Sequence, residues 1–208
     1  QFCTNPGIAV VIDGPDADRF VAAMRAGLGE VAPQTMLTDG IAAAYRLGCR
    51  RLEAAERVAD LFGIVGEGRA ATPRLFETTG EVFVGDRRLA EEVFGPLGLL
   101  VRVGSLAEMR RVALAFEGQL TATLHMDDAD LDAARDLLPI LERKAGRIAV
   151  NGFPTGVEVV DSMVHGGPWP ASTNFGATSV GTLSIRRFLR PVAYQNFPEG
   201  LLPNDLVS

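Results

Sequence analysis

The chain predicts an α/β fold: an open, largely parallel twisted sheet with helices on both faces. Three observations carry that prediction. Short β-rich runs alternate with helix-period segments at lengths suited to crossover connections. The run Leu97-Gly98-Leu99-Leu100-Val101-Arg102-Val103 has the near-continuous hydrophobicity of a strand covered on both faces. At 208 residues, 47% of them hydrophobic, the chain can bury a substantial core.

Taken in order, Ile8, Val10, Val11 and Ile12 form a first strand over 7–12, closed by the turn Asp13-Gly14-Pro15. A helix follows, with Asp16 or Asp18 as its cap, Phe20, Val21, Met24 and Leu28 as its apolar stripe, and Gly29 at its end. The spacing predicts a longer helix over 39–62. Ile41, Tyr45, Leu52, Ala55, Ala59 and Phe62 line one stripe, and Arg46, Arg50, Glu53, Arg57 and Asp60 line a solvated face with Glu53 and Arg57 as an i,i+4 pair. Cys49 falls inside this pattern, where a buried thiol is expected. Residues 63–73 read as a linker and 75–79 as a strand. Ser105 and Glu108 then form a capping-box pair ahead of Met109, Val112, Ala113 and Phe116.

Residues 120–126 are strand-like, and Asp127 or Asp128 can cap a helix running through Leu131, Ala134 and Leu138. Pro139 should end or kink that helix, and 147–150 returns to strand. Beyond Asn151, Gly, Pro, Ser and Thr dominate to about Gly181, with 157–160 as a brief β-rich interruption. Loops of this length tend to be functional or packed against a partner. Residues 183–194 read as a late strand carrying Arg186, Arg187 and Arg190, either an edge or a strand that pairs with another chain.

Composition excludes several classes of function. The net charge is −6 and the basic residues are scattered, which argues against a phosphate-tracking nucleic-acid surface. No stretch of about 18 apolar residues is present and no basic-then-apolar leader opens the chain, so membrane spanning and secretion are unsupported. Two cysteines form no disulfide framework, and a reducing cytoplasm is the expected setting. The opening Gln1-Phe2-Cys3 lacks an initiating Met and reads as a processed chain or a piece of something longer.

Cys3 lies between small, polar and turn-forming neighbours, a poor place to hide a thiol and a suitable one to expose it. Lys144 is the only lysine and ends a helix, so neither a phosphate-loop lysine nor a Schiff-base lysine is supported. His125 and His165 have no partner at metal-ligand spacing. Glu91-Glu92-Val93-Phe94-Gly95-Pro96, directly before the buried strand, can simply end an element. Its carboxylate and aromatic face at the mouth of an α/β sheet also suit a nucleotide, one accepting from ribose hydroxyls and the other packing on a heterocycle. Cys3 with either histidine would suit a cysteine hydrolase, and a non-catalytic interaction module is a further alternative.

In combination, the Gln-x-Cys start, Glu92-Val93-Phe94-Gly95-Pro96, and Val150-Asn151 followed by His165-Gly166-Gly167-Pro168 resemble the aldehyde dehydrogenase superfamily, in the right order and across essentially the whole chain. The wording from Gly152 through Pro203 looks most like the branch that oxidises 2-oxoglutarate semialdehyde (2,5-dioxopentanoate). The resemblance implies that Cys3 is the catalytic nucleophile, with its backbone N–H as one donor to the oxyanion. It also implies that Glu92 binds the nicotinamide ribose of NAD or NADP, that Phe94 lies beside the nicotinamide, and that Phe2, Phe153 and His165 shape the aldehyde pocket.

Residues 1–182 would then be the catalytic domain and 183–208 a C-terminal oligomerisation strand and tail. The family's dinucleotide-binding domain, its glutamate base and its oxyanion-hole asparagine mostly precede the nucleophile, and none is found here. The resemblance therefore implies a fragment that is inactive alone and binds no cofactor tightly. Its partners would be the small aldehyde, the missing N-terminal domain and, in the parent protein, further copies of itself, with neither nucleic acid nor membrane among them.

Overall fold

A computed structural model of the chain describes residues 2–64, 66–154 and 156–206. Its strands are β1 (Ile8–Ile12), β2 (Gln34–Thr35), β3 (Ala59–Phe62), β4 (Ala70–Ala71), β5 (Arg74–Thr79), β6 (Leu97–Val103), β7 (Gln119–Leu124) and β8 (Ala145–Val150). The helices are α1 (Pro15–Gly29), α2 (Asp39–Glu53), α3 (Gly80–Gly85), α4 (Leu106–Ala115) and α5 (Leu131–Lys144). The predicted α/β class holds.

The main sheet has the order β1-β6-β5-β3, with β1, β6 and β5 parallel and β3 antiparallel at the edge. β7 and β8 form a separate parallel pair, and β2 and β4 a short antiparallel one. The sheet is thus mostly parallel but divided, where the sequence suggests one continuous layer. In β6 the side chains of Leu97, Leu99, Val101 and Val103 share one face with Phe76 of β5, and they pack against Tyr45, Cys49 and Leu52 of α2, Phe83 of α3 and Val112 of α4. α1 covers the other face: Asp18 accepts from Arg102, and Gly29 backs onto Phe62. Five of the seven β6 residues are buried, as expected of a strand covered on both sides.

Several expected boundaries move. α1 starts at Gly14-Pro15 without a side-chain cap, because Pro15 already presets the first-turn φ. Asp18 is engaged instead with Arg102. Of its expected stripe Val21 is buried and Phe20 is 43% exposed, while Ala17 fills the remaining core position.

The helix expected over 39–62 ends at Glu53, and 59–62 is strand β3. Arg57, at φ 59°, turns the chain between them. The reason is Arg74, whose side chain is 1% exposed and donates to Glu53 (2.7 Å) and to Asp60 (2.5 Å). That fork ties the end of α2 to β3, so the two acids hold a buried cation and do not merely form a solvated face, and Arg57 pairs with Glu81 instead of Glu53.

Pro139 does not end its helix: α5 runs on to Lys144. Ser105 caps α4 as expected, while Glu108 reaches back to Gly104 N rather than to Ser105 N. The expected strand at 157–160 is irregular, and the linker at 63–73 contains β4.

The late strand expected over 183–194 is absent. Thr182–Phe188 forms a 3-10 turn and the following residues are irregular and exposed. A strand needs a neighbour to satisfy its N–H and C=O groups, and among the described residues none pairs with this segment.

Candidate active site

Phe2, Cys3, Thr4 and Asn5 form a turn closed by Asn5 N donating to Phe2 O (3.0 Å), which puts Cys3 and Thr4 at its tip. Cys3 is exposed and Cys49 is fully buried, so the two thiols stand in opposite surroundings. The turn is fastened in two places. Thr4 Oγ1 donates to Pro154 O (2.6 Å), and Cys3 Sγ lies 3.2 Å from His165 Nε2.

His165 is held by its backbone. Its N–H donates to Oγ1 of Thr178 (3.1 Å), whose residue is 6% exposed and whose hydroxyl donates onward to Val180 O (3.2 Å). The adjoining glycines explain how the loop lies so close. A Cβ on Gly146 would meet Gly166 O at 1.9 Å, and one on Gly167 would meet Gln119 O at 2.2 Å. Only bare backbone lets the 165–169 loop lie across the amino ends of β7 and β8.

At the opposite ends of those strands, Asn151 clamps Met126 through its backbone N (2.9 Å) and O (2.7 Å). Phe153 is 72% exposed, with its ring centroid 5.9 Å from that of His125. Arg147 of β8 donates to Pro154 O (2.8 Å) and to Gly156 O, tying the 153–156 loop to the sheet. Thr4 and Arg147 thus share one carbonyl oxygen, which brings a guanidinium close to the Cys3 turn.

Glu92 and Phe94 reach the same edge of the main sheet by another route. Gly7 O accepts from Leu99 N and Pro96 O from Arg74 N, so the Cys3 turn and the 92–96 loop both enter at the amino ends of the parallel strands. That loop is seated on α2. A Cβ on Gly48 would lie 2.5 Å from Val93 and one on Gly95 would lie 2.2 Å from the Tyr45 ring, so Val93 and Tyr45 occupy the space that the two glycines leave. Tyr45 donates to Thr72 O (2.7 Å) and reaches Pro96 O (3.3 Å). Burial pushes the Tyr45 hydroxyl far above its ordinary range and also raises the Cys49 thiol, so both act here as neutral groups. Glu92 is exposed and Phe94 is 43% exposed. Both residues are thus accessible on an anchored loop.

The fold therefore gathers Cys3, His165 and the Phe153-Pro154 loop, with Phe2, 75% exposed, on the same turn. Among the described residues, no group of three His, Cys, Asp or Glu could hold a metal ion.

No protein-family model matches the chain. The chain is 52% identical over 214 aligned residues, spanning 99% of its length, to alpha-ketoglutaric semialdehyde dehydrogenase 2 of Azospirillum brasilense. The chain belongs to the aldehyde dehydrogenase superfamily. It is likewise 43% identical, over 99% of its length, to the alpha-ketoglutaric semialdehyde dehydrogenase of Acinetobacter baylyi. It spans 40% of the length of both relatives. The same fold occurs in the solved salicylaldehyde dehydrogenase of Pseudomonas putida G7, with a TM-score of 0.71 at 18% identity over 94% of this chain and 41% of that one.

Within this aldehyde dehydrogenase segment, sequence reasoning passed over Thr4, Arg147, Pro154 and Thr178, which position the thiol and its histidine. Only Arg147 carried a local signal, as a lone charge in the otherwise apolar run of β8.

Proposed function

We propose that the chain is the nucleophile-bearing part of an NAD- or NADP-dependent aldehyde dehydrogenase that oxidises 2-oxoglutarate semialdehyde to the dicarboxylate. One observation carries the reading: in a chain of this superfamily, Cys3 is the exposed thiol and Cys49 is sealed in the core. The two semialdehyde dehydrogenases at 52% and 43% identity support the choice of substrate.

Cys3 Sγ, as thiolate, adds to the aldehyde carbon and forms a thiohemiacetal, with the Cys3 backbone N–H donating to the developing oxyanion. The dinucleotide, when bound, supplies a hydride acceptor. Glu92 and Phe94 are the residues that would hold it, the carboxylate by accepting from ribose hydroxyls and the ring by packing on a heterocycle. Removal of a hydride from the adduct would leave an acyl thioester on Cys3, which water would cleave to release the carboxylic acid and restore the thiol. Phe2, on the Cys3 turn, and Phe153, next to the Pro154 whose carbonyl holds Thr4, would form the apolar side of the pocket.

The test is Cys3→Ser in the full-length protein, assayed by dinucleotide reduction with 2-oxoglutarate semialdehyde. The expected result is a fall of about a thousandfold or more in kcat with dinucleotide binding retained, given the usual cost of removing a covalent nucleophile. Undiminished turnover in Cys3→Ser, or no oxidation of this semialdehyde by the wild type, would overturn the proposal.

A further inference from the structure

We infer that the groove between α4, the end of α5 and the 165–169 loop binds a nucleoside phosphate, its phosphate on Lys144 and Arg143 and its base on the Trp169 indole. The inference stands apart from the role of Cys3, since neither the Cys3 turn nor the 92–96 loop lines this groove. Its volume is about 490 Å³, within the roughly 300–1,000 Å³ usual for small-molecule sites. Leu114 and Phe116 supply apolar lining. The charged lining is three cations, Arg87, Arg143 and Lys144, against one acid, Glu117.

Two of those cations lack a counter-ion. Arg87 pairs with Glu117 (2.6 Å), which takes up the one acid. Lys144, half-buried at the last position of α5, donates to Phe116 O (2.5 Å) and forms no ion pair among the described residues. Arg143 has no hydrogen-bond or ion-pair partner among them. The carbonyl end of α5 offsets only about half an elementary charge. A compact surplus of positive charge, in a chain of net charge −6, suits a small anion and not a nucleic-acid strand, which needs an extended basic track. Trp169 supplies the flat apolar partner. Its residue is 74% exposed, yet its backbone is fixed: Gly118 N donates to Trp169 O (3.2 Å), Ala171 N donates to Pro168 O (2.8 Å), and a Cβ on Gly118 would meet Pro168 O at 1.9 Å. A large ring held in water on a backbone that cannot retreat is a stacking platform for a heterocycle.

The chain holds one tryptophan and one lysine, and both line this groove, so each reports on it alone. The test is titration of the 208-residue chain with adenosine monophosphate at low salt. Trp169 fluorescence gives one reading, and the NMR signal of isotope-labelled, dimethylated Lys144, which keeps its charge, gives the other. The expected result is saturable quenching with a parallel Lys144 shift, a dissociation constant below about 1 mM, and weakening as salt rises. Inorganic phosphate should shift Lys144 without quenching Trp169 and bind at least about tenfold more weakly, because it has no base to stack. Lys144→Gln and Arg143→Gln should each weaken quenching by about five- to tenfold through loss of a charge-assisted contact. Trp169→Leu, followed on Lys144, should bring the nucleotide down to the affinity of phosphate.

Silence of both reporters in the wild type would overturn the inference. So would quenching undiminished in both cation variants, since the nucleotide would then be bound without the charges that define the site. Equal affinity for inorganic phosphate and the nucleotide would overturn it as well, because the base would contribute nothing. Where a variant fails to fold, the wild-type comparison of nucleotide with phosphate decides alone.

Discussion

Cys3 and Cys49 show at the scale of one residue how neighbours decide what a thiol does. Cys49 sits at 0% exposure among Tyr45, Leu52 and the β6 side chains, and its thiol is pushed up by burial; the Tyr45 hydroxyl is raised for the same reason. For acids whose folded-state pKa is raised, the folded protein binds more protons than the unfolded one, so stability is fully present below the unfolded value and falls as pH rises past it. Denaturant midpoints should therefore hold up to about pH 9 and decline above it, and Cys49→Ala should remove the thiol's part of that decline. A midpoint in Cys49→Ala that falls as steeply as wild type between pH 9 and 10 would contradict this account. Arg74 makes the complementary case for charge. Its guanidinium is buried with two half-exposed acids and stacks 4.9 Å from the Phe76 ring centroid, while its Nε has no partner. Arg74→Met should cost about 1–2 kcal/mol in chemical unfolding, less than a fully sequestered pair would, because Glu53 and Asp60 can return to water.

Among the elements, those with a self-sufficient pattern were legible in advance. β1, β5, β6, β7, β8 and α4 lie where hydrophobic period and caps place them, because each is dictated by side chains within its own length. The helix over 39–62 fails for the opposite reason. Its stripe continues past Glu53, but pairing with β5 and the Arg74 fork are contacts between distant residues, and they outweigh local periodicity. Pro139 within α5 is a similar override. Packing of Leu137 keeps the helix whole across a missing N–H, so Pro139→Ala should raise stability by about 1–2 kcal/mol, read from thermal unfolding. At the β8 start, Gly146→Ala would drive a methyl into Gly166 O and push the His165 loop off the sheet. That variant should retain its main-sheet circular dichroism and unfold at a lower denaturant midpoint; an unchanged midpoint would show that the loop tolerates the methyl.

On the scale of the whole molecule, the chain spans 40% of the length of its curated relatives, and no helix among the described residues is long and apolar enough to cross a membrane. We expect the 208 residues alone to fold and to leave NAD(P)+ unreduced in the presence of 2-oxoglutarate semialdehyde, since the rest of the relatives' length has no counterpart in it; measurable reduction by the purified chain would reverse that expectation. Phe188 at 77% and Leu189 at 64% exposure end a 3-10 turn where a strand was expected. These side chains should drive concentration-dependent association in light scattering, and Phe188→Glu should reduce it. By itself the sequence determined the α/β class, the places of β1, β5, β6, β7 and β8, and the superfamily resemblance that nominates six candidate site residues, because alternating patterns and short motifs are written locally. Only the tertiary structure decided that the sheet divides, that α2 stops at Glu53, and that His165, 162 positions along the chain, lies against Cys3. Such pairings arise where the glycines of β8 and the 165–169 loop let two backbones meet, a contact that no single stretch of sequence displays.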